Sequence, residues 1–360
     1  MKKLIILTFL MCSLFADTVK LKSGEEYSGK VVGVYLAEGK ATLRMYLKSG
    51  KKDIVLSDIE TVSDDNQDYL YISDDRKDFG EEYYLDKDDL ENFDERFAPT
   101  MSQFASHIAT GQDVGASFAL SVDGEMVVDV WAGSQDEAGE IPWKEDTIIN
   151  VYSSTKTVSF LCALVAADRG LIDFDAPVGN YWPEFIANGK EGVLVWHLMN
   201  HAAGLPGLDR PVSLEEMCDW DTITGMLAEQ APWWEPGSAN GYHAMTQGYL
   251  IGEVIRRVTG QSLGQFLREE IAGPLDADFY VGVPETEFHR ICDLIPTAGG
   301  VPASNEGSIA DRTFASPAPR AEDSWTDIWR RAEMPAVNGH GNARALVRLQ
   351  TPLACGGSAF

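Results

Sequence analysis

Short runs in which apolar and polar residues alternate dominate the first part of the chain. With Ser-Gly turns between them, the runs are Val19-x-Leu21, Val31-Val32, Leu43-x-Met45-x-Leu47 and Ile54-x-Leu56. A period of two residues is that of a strand with one buried face. The pattern predicts a small all-β, barrel-like module over residues 17–63. A module of this size has no room for an active-site cleft, so we expect a spacer or an adaptor with an unidentified partner.

The alternation stops at Asp64, where the composition shifts to Asp, Glu and Tyr. Residues 64–92 contain the acidic pairs Asp64-Asp65, Asp74-Asp75, Glu81-Glu82 and Asp88-Asp89. Clustered like charges repel one another and favour a solvated, extended segment. We therefore expect an acidic linker here.

Beyond the linker, strand patterns give way to helix patterns. Two alternating runs, residues 116–122 and 125–131, flank Asp123-Gly124, a strong hairpin signal. A third strand-like run at 148–151 leads into an apolar stretch in which residues recur at helical intervals, namely Val158, Leu161, Cys162 and Val165. Antiparallel strands followed by several helices predict a mixed α/β domain of the α+β type over residues 93–360, not repeating βαβ units.

The helix after residue 151 places a serine hydroxyl one turn from a lysine amine. Ser153 or Ser154 can cap its start, and Gly170 is the expected stop. On a helix, Ser153 and Lys156 share a face. Burial and the positive end of the helix dipole favour a neutral lysine, which can accept the serine proton.

This spacing alone does not establish a site. Ser49-Gly50-Lys51-Lys52 has the same spacing in a predicted hairpin loop. For Ser153 and Lys156 the alternative is a capping serine and a lysine whose amine reaches water. Local pattern leaves the two interpretations equally open.

Tyr242 is the candidate for a third catalytic group. It lies in a Pro- and Gly-rich loop, residues 235–244, directly before an amphipathic helix that carries Ile251, Val254, Ile255 and Val258 and ends at Gly260. A nearby lysine ammonium would stabilise its phenolate, so that the tyrosine could exchange protons with Ser153 and with a leaving group. The neighbouring pair Trp233-Trp234 is either a pocket wall or core filling, and the sequence does not distinguish these.

Charge and metal-ligand patterns exclude several functions. Of the 360 residues, 29 are Lys or Arg and 56 are Asp or Glu, a net charge of −27, which argues against nucleic acid and anionic membranes as partners. His197 and His201 stand four apart but lack the Glu and the third ligand of a zinc site. Five cysteines, at 12, 162, 218, 292 and 355, show no paired spacing. We expect no metal and no cofactor.

Residues 1–16 have the pattern of a secretory signal peptide. Lys2-Lys3 precede an apolar run over residues 4–14, and Ala16 is a possible cleavage residue. The run is too short to span a bilayer, so no transmembrane span is expected. The sequence predicts a bacterial periplasmic or secreted protein.

Three motifs together resemble a known family. Ser153-x-x-Lys156, Asn200-His201-x-x-Gly204-Leu205-Pro206 and Tyr242 in its loop are similar to the serine hydrolases built on the class C β-lactamase fold, especially the family VIII carboxylesterases and penicillin-binding-protein-like members. The resemblance covers residues 93–360. It implies an antiparallel sheet with flanking helices and a helical subdomain. It also implies Ser153 as the acyl-accepting nucleophile, Lys156 as its proton partner and Tyr242 as general base.

The chain departs from the family pattern at two places. Ala244 replaces the Asn of the Y-x-N motif, which favours an esterase over an efficient β-lactamase. The family's C-terminal third motif, which supplies an oxyanion donor, has one look-alike, Gly339-His340-Gly341, and a helical pattern at 343–349 comes directly after it. We therefore expect the chain to end before the third motif.

Two functions are consistent with these expectations. The first is a serine hydrolase that acts through an acyl-enzyme on carboxylic esters of short acyl chains, and weakly on β-lactams, with a small-molecule ester or lactam as substrate. The alternative is a catalytically impaired, exported binding or interaction protein on the same fold, since loss of one oxyanion donor costs about 10²- to 10³-fold in rate.

Overall fold

The computed structural model describes residues 17–37, 40–47, 50–55, 58–63, 68–71, 90–296, 306–315 and 320–357. Contacts divide the chain into two compact units, residues 1–82 and 83–360. The predicted signal peptide and most of the predicted linker lie outside the described residues.

The first unit is a six-stranded sheet. Its strands are β1 (Asp17–Leu21), β2 (Glu26–Ala37), β3 (Lys40–Leu47), β4 (Gly50–Val55), β5 (Ile59–Ser63) and β6 (Asp68–Tyr71). Neighbours pair antiparallel in the order β4-β3-β2-β1-β5-β6. Closure of this sheet into a barrel stays a prediction.

The second serine–lysine spacing falls in this sheet. Leu47 pairs with Gly50 where β3 turns into β4, and Lys52 lies within β4. Ser49 itself lies outside the described residues. The predicted hairpin therefore accounts for this copy of the motif, because a strand does not bring residues three apart to one face.

Strand β6 corrects the linker prediction. The acidic composition of residues 64–92 predicts a solvated segment, but Asp68–Tyr71 forms a strand that pairs with β5. The run Tyr69-Leu70-Tyr71 has the aromatic and apolar residues that strands favour, and in these four residues that preference outweighs the surrounding charge.

The second unit contains a hairpin and a four-stranded sheet. The hairpin joins β7 (Gly115–Val122) to β8 (Glu125–Gly133) through Asp123 and Gly124, with φ of 53° and 88°. This confirms the turn that the Asp-Gly pair predicts. The other sheet has the order β10-β12-β9-β11 and is formed by β9 (Ile148–Asn150), β10 (Phe279–Val281), β11 (Ile291–Cys292) and β12 (Gly339–Gly341). All of its pairs are antiparallel except that of β9 with β11.

The described residues of this unit also form ten α-helices. They are α1 (Ala98–Ala109), α2 (Thr155–Asp168), α3 (Val195–Met199), α4 (Leu214–Met217), α5 (Trp220–Glu229), α6 (Thr246–Thr259), α7 (Leu263–Leu267), α8 (Ile309–Phe314), α9 (Asp327–Arg331) and α10 (Ala343–Ala354). The predicted α+β class, an antiparallel sheet with flanking helices, is confirmed. None of the helices described is long and apolar enough to cross a bilayer.

Helices α2 and α6 lie in the main hydrophobic core and contact each other. Both end as the sequence predicts, with Gly170 and Gly260 in the left-handed region at φ of 70° and 73°. Helix α2 is buried along most of its surface, which confirms the inference from its apolar composition. The core therefore holds the two helices that flank the candidate site in a fixed relation.

Strand β12 passes close to Phe279 in the neighbouring strand. A Cβ on Gly339 or Gly341 would lie within 2.5 Å of the Phe279 ring, so only glycine fits at either position. Between them, His340 is fully buried and its Nδ1 donates to the carbonyl of Asn338. The look-alike of the third motif is thus an interior strand, and helix α10 comes after it as predicted. The absence of a true third motif stays a prediction.

Candidate active site

Ser153 lies at a tight turn between strand β9 and helix α2. The preceding residue, Tyr152, has a φ of 43°, which is unusual for a residue with a side chain, and residues 152–154 form one turn of 3₁₀ helix. Gly339 donates its backbone N–H to Thr155 Oγ1 at 2.8 Å, which attaches the turn to β12. Ser153 is exposed, and Ser154 at the N-cap position makes no side-chain capping bond, so the predicted serine cap is wrong. The 3₁₀ turn, continuous with α2, occupies that position instead.

Lys156 lies buried beneath Ser153, with only 7% of its surface exposed. Its Nζ lies 3.2 Å from Ser153 Oγ and donates to the carbonyls of Ala244 at 2.7 Å and Ala336 at 2.9 Å. The interpretation in which this amine reaches water is therefore wrong. Burial disfavours the ammonium and lowers the pKa of Lys156 from its ordinary 10.5 to about 7.

The two backbone carbonyls suit a neutral amine. A neutral lysine has two N–H bonds, which the carbonyls of Ala244 and Ala336 accept, and its lone pair is then left for the Ser153 hydroxyl proton. Because the pKa of Lys156 is about 7, much of this lysine is neutral at neutral pH, and the geometry presents the neutral amine to Ser153 as a base.

Tyr242 completes the cluster from the opposite side. Its hydroxyl donates to Ser153 Oγ at 2.7 Å, and Lys156 Nζ lies 4.8 Å from the centroid of its ring. Tyr242 is 44% exposed, so the site is open to solvent on this side. The structure thus brings all three predicted residues together in one hydrogen-bonded group, although they span 89 residues of chain. Their catalytic roles stay predictions.

Two histidines hold the loop that carries Tyr242. His201 Nδ1 accepts the backbone N–H of His243 at 3.1 Å, and the His201 carbonyl accepts the N–H of Gly241. His243 Nδ1 donates to the Gly241 carbonyl, and its Nε2 accepts the N–H of Leu205. Burial lowers the pKa of His201 to about 4 and that of His243 to about 3. Both rings are therefore neutral at neutral pH, and each is fixed in one tautomer.

Sequence reasoning identified His201 within a motif but missed its contact with the tyrosine loop. The partners His201 and His243 lie 42 residues apart, and no local pattern connects them. His197 does not join them as a metal ligand, because its Nδ1 accepts the N–H of Leu194. In the part of the chain that the structure describes, no group of three His, Cys, Asp or Glu could hold a metal ion.

The two tryptophans occupy different positions, and both are half-buried. Trp234 lines a cavity of about 320 Å³ that Tyr242 also lines. Trp233 donates its Nε1–H to Asp209, and the Arg312 guanidinium lies 3.7 Å above its ring. Of the alternatives left open for this pair, a pocket wall therefore fits Trp234, and Trp233 supports α8 from outside the cavity.

Comparison with known proteins identifies the family and the fold. A family model described as Beta-lactamase matches residues 103–355. Esterase/beta-lactamase LipL of Mycobacterium tuberculosis is 36% identical over 276 residues, which cover 73% of this chain and 64% of LipL. The crystal structure of a family VIII carboxylesterase superposes with a TM-score of 0.69 at 41% identity, covering 74% of this chain and 71% of that one. A penicillin-binding protein homologue from Caulobacter crescentus gives a TM-score of 0.70 at 36% identity, covering 74% and 72%.

Fold and comparisons define the class as the esterase- and β-lactamase-like serine hydrolases. The chain belongs to the beta-lactamase family. Its match spans less than two thirds of the length of LipL.

Proposed function

We propose that the chain hydrolyses carboxylic esters of short acyl chains through an acyl-enzyme on Ser153. The observation that carries this proposal is the position of Ser153 Oγ, which lies 3.2 Å from the Lys156 amine and 2.7 Å from the Tyr242 hydroxyl. A nucleophile within hydrogen-bonding reach of a base and of a proton donor is the arrangement that acyl transfer needs.

In the acylation step, neutral Lys156 takes the Ser153 proton while Oγ attacks the ester carbonyl. We propose the backbone N–H of Ser153, in the 3₁₀ turn that leads into the positive end of helix α2, as a donor for the developing oxyanion. The tetrahedral intermediate then expels the alcohol oxygen, which receives the Tyr242 proton. The products of this step are the acyl-serine, the free alcohol, a Lys156 ammonium and a Tyr242 phenolate, whose opposite charges stabilise each other across the 4.8 Å from Nζ to the ring.

Deacylation reverses these proton transfers. The Tyr242 phenolate takes a proton from water, and the hydroxide attacks the acyl carbonyl. The second tetrahedral intermediate expels Ser153 Oγ, which recovers its proton from Lys156. All three residues return to their starting states, and the cycle needs neither a histidine base nor a cofactor.

Two observations favour esters over β-lactams. β-Lactamases of this family carry an amide side chain at the position of Ala244. Alanine offers no side-chain donor for a lactam substituent, and its backbone carbonyl already accepts a hydrogen bond from Lys156. The name of one similar solved structure, a family VIII carboxylesterase, supports the same choice. We propose β-lactams as weak substrates at most.

Labelling with a fluorophosphonate tests the nucleophile. We expect the purified full chain to hydrolyse para-nitrophenyl acetate and to carry the label on Ser153, located by mass spectrometry of the peptide that contains it. The adjacent Ser154 is exposed and is the internal control, which stays unlabelled. Absence of both label and hydrolysis would contradict the proposal. A label without turnover would support the alternative, an impaired binding protein.

The activity should fall as Lys156 becomes protonated. Because the pKa of Lys156 is lowered to about 7, its neutral form predominates above that pH, and kcat/KM is expected to fall about tenfold for each pH unit below it. The rate is followed at a wavelength where nitrophenol absorbance does not depend on pH. Protonation of His201 cannot cause this fall in rate, since the pKa of His201 is about 4. A Lys156→Met variant should keep only residual activity, and that activity should not fall below pH 7 as the native activity does. If the same fall remained in this variant, Lys156 would not be the base that causes it.

We also propose that the protein is exported to the bacterial periplasm or beyond. The basic and then apolar pattern of residues 1–16 supports this proposal.

A further inference from the structure

The cavity beside Tyr242 is built to accept an apolar group. Its lining residues are Trp234, Ala239, Asn240, Gly241, Tyr242, Ile309, Ala310, Thr313 and Phe314. Its volume of about 320 Å³ reaches the lower end of the range of small-molecule sites. The large apolar side chains come from two segments, Trp234 from the loop before Tyr242 and Ile309 and Phe314 from α8.

Three polar side chains of the lining donate hydrogen bonds within the protein. Trp234 Nε1 donates to the Ala239 carbonyl at 3.0 Å, Asn240 Nδ2 donates to the Asn200 carbonyl at 2.7 Å, and Thr313 Oγ1 donates to the Ile309 carbonyl at 2.7 Å. These donors are therefore engaged without a ligand. Ile309, in contrast, has 45% of its surface exposed, and an apolar ligand that removed this surface from water would gain binding free energy.

The wall that α8 forms is held in place from its other side. Thr313 is buried, and a Cβ on Gly207 would lie 3.1 Å from its Cα, so the helix packs directly on the backbone of Gly207. Arg312 lies 3.7 Å above the Trp233 ring and 3.5 Å from Asp209. On the opposite wall, Gly241 lets the Trp234 ring lie against the backbone, because a Cβ there would be 2.5 Å from the ring. Both walls are thus positioned before any ligand arrives.

We propose that this cavity binds a bulky apolar group of the ester, of about the size of a naphthyl ring. Tyr242 belongs both to the cavity and to the cluster around Ser153, so an ester whose carbonyl lies at Ser153 Oγ can extend past Tyr242 into the cavity. The inference rests on the proposed esterase function and deepens it. The substrate class becomes esters that are short on one side of the carbonyl and bulky and apolar on the other, and a bulky acyl side would replace the short acyl chain proposed above.

Three esters identify which side of the substrate enters. Naphthylmethyl acetate carries the ring on the alcohol, methyl naphthylacetate carries it on the acyl group, and methyl acetate is the reference. We expect one of the two naphthyl esters to have the higher kcat/KM. Ile309→Ala should lower that value about tenfold and leave methyl acetate unchanged, because lost apolar contacts affect only the group that makes them. Ala310→Trp, which fills the cavity, should produce the same selective loss.

Ile141→Ala is the matched control. Ile141 is 51% exposed, comparable with Ile309, and does not line the cavity, so this variant should act on all three esters as the native chain does. Naphthyl esters no better than methyl acetate, or an equal loss for all esters in Ile309→Ala, would overturn the inference.

A binding measurement separates failure of the cavity from failure of the esterase function. In a Ser153→Ala background, calorimetric titration with naphthylmethanol and with naphthylacetate should detect binding of one of them, about tenfold weaker when Ile309→Ala is added. If the native chain hydrolyses no ester but the Ser153→Ala chain binds a naphthyl compound in a way that depends on Ile309, the cavity is upheld and the proposed function is contradicted. Ester hydrolysis by the native chain without binding that depends on Ile309 would uphold the proposed function and overturn the inference about the cavity.

Discussion

Replacing Ser153 by alanine is expected to lower the rate of ester hydrolysis by about 10⁴-fold or more, because the acyl-enzyme can no longer form. The residue is exposed at the surface of the site, so the variant should unfold at the same temperature as the native chain. The measurement is kcat/KM for para-nitrophenyl acetate, with thermal unfolding followed in parallel.

Ser154→Ala is the matched control for this experiment. Ser154 is also exposed, adjacent in sequence and makes no side-chain bond at the helix cap, so removal of its hydroxyl should leave the rate within about twofold. A Ser153→Ala variant that kept a tenth of the native rate, or a Ser154→Ala variant that lost it, would contradict the assignment of the nucleophile.

Replacing Tyr242 by phenylalanine is expected to lower kcat/KM by about 10²- to 10⁴-fold, the usual contribution of a positioned proton donor and acceptor. The substitution removes only the hydroxyl, which lies 2.7 Å from Ser153 Oγ. The ring that contacts His201 and lies 4.8 Å from Lys156 Nζ remains, so the loop should keep its conformation. Steady-state kinetics should show the loss mainly in kcat, since the hydroxyl acts on the reacting atoms.

Tyr181→Phe provides the comparison for a hydroxyl outside the site. Tyr181 accepts a hydrogen bond from the backbone N–H of Asp173, a structural role, so its loss should affect stability but not kcat. If Tyr242→Phe reduced the rate no more than Tyr181→Phe does, Tyr242 would not be the proton carrier, and water would have to take its place.

The elements that the sequence predicted well are those whose signals are short. The Asp123-Gly124 turn, the end of α2 at Gly170 and the end of α6 at Gly260 all depend on residues within a few positions. The pairing of Ser153 with Lys156 belongs to the same group, because three residues along a helix is a local distance. Tyr242 was a candidate from its loop and from resemblance to a family, but its contact with Ser153 spans 89 residues and no local pattern predicts it.

The predictions that failed relied on composition or on a motif without its surroundings. Asp68–Tyr71 forms a strand in a segment whose charge predicts a linker, because pairing with β5 supplies partners that composition does not report. Ser154 stands at the N-cap position of α2 without a side-chain capping bond, because it belongs to the 3₁₀ turn of residues 152–154 that runs directly into the helix. Both outcomes depend on neighbours in space.

For this protein the sequence by itself determined helix α2, which carries Lys156, and the position of Ser153 one turn before it, since helical periodicity is a property of neighbouring residues. Only the tertiary structure decided the chemistry of that pair. The carbonyls of Ala244 and Ala336, 88 and 180 residues from Lys156, enclose its amine. That burial lowers its pKa to about 7, because desolvation depends on everything packed around a charge and not on the residues beside it in the chain.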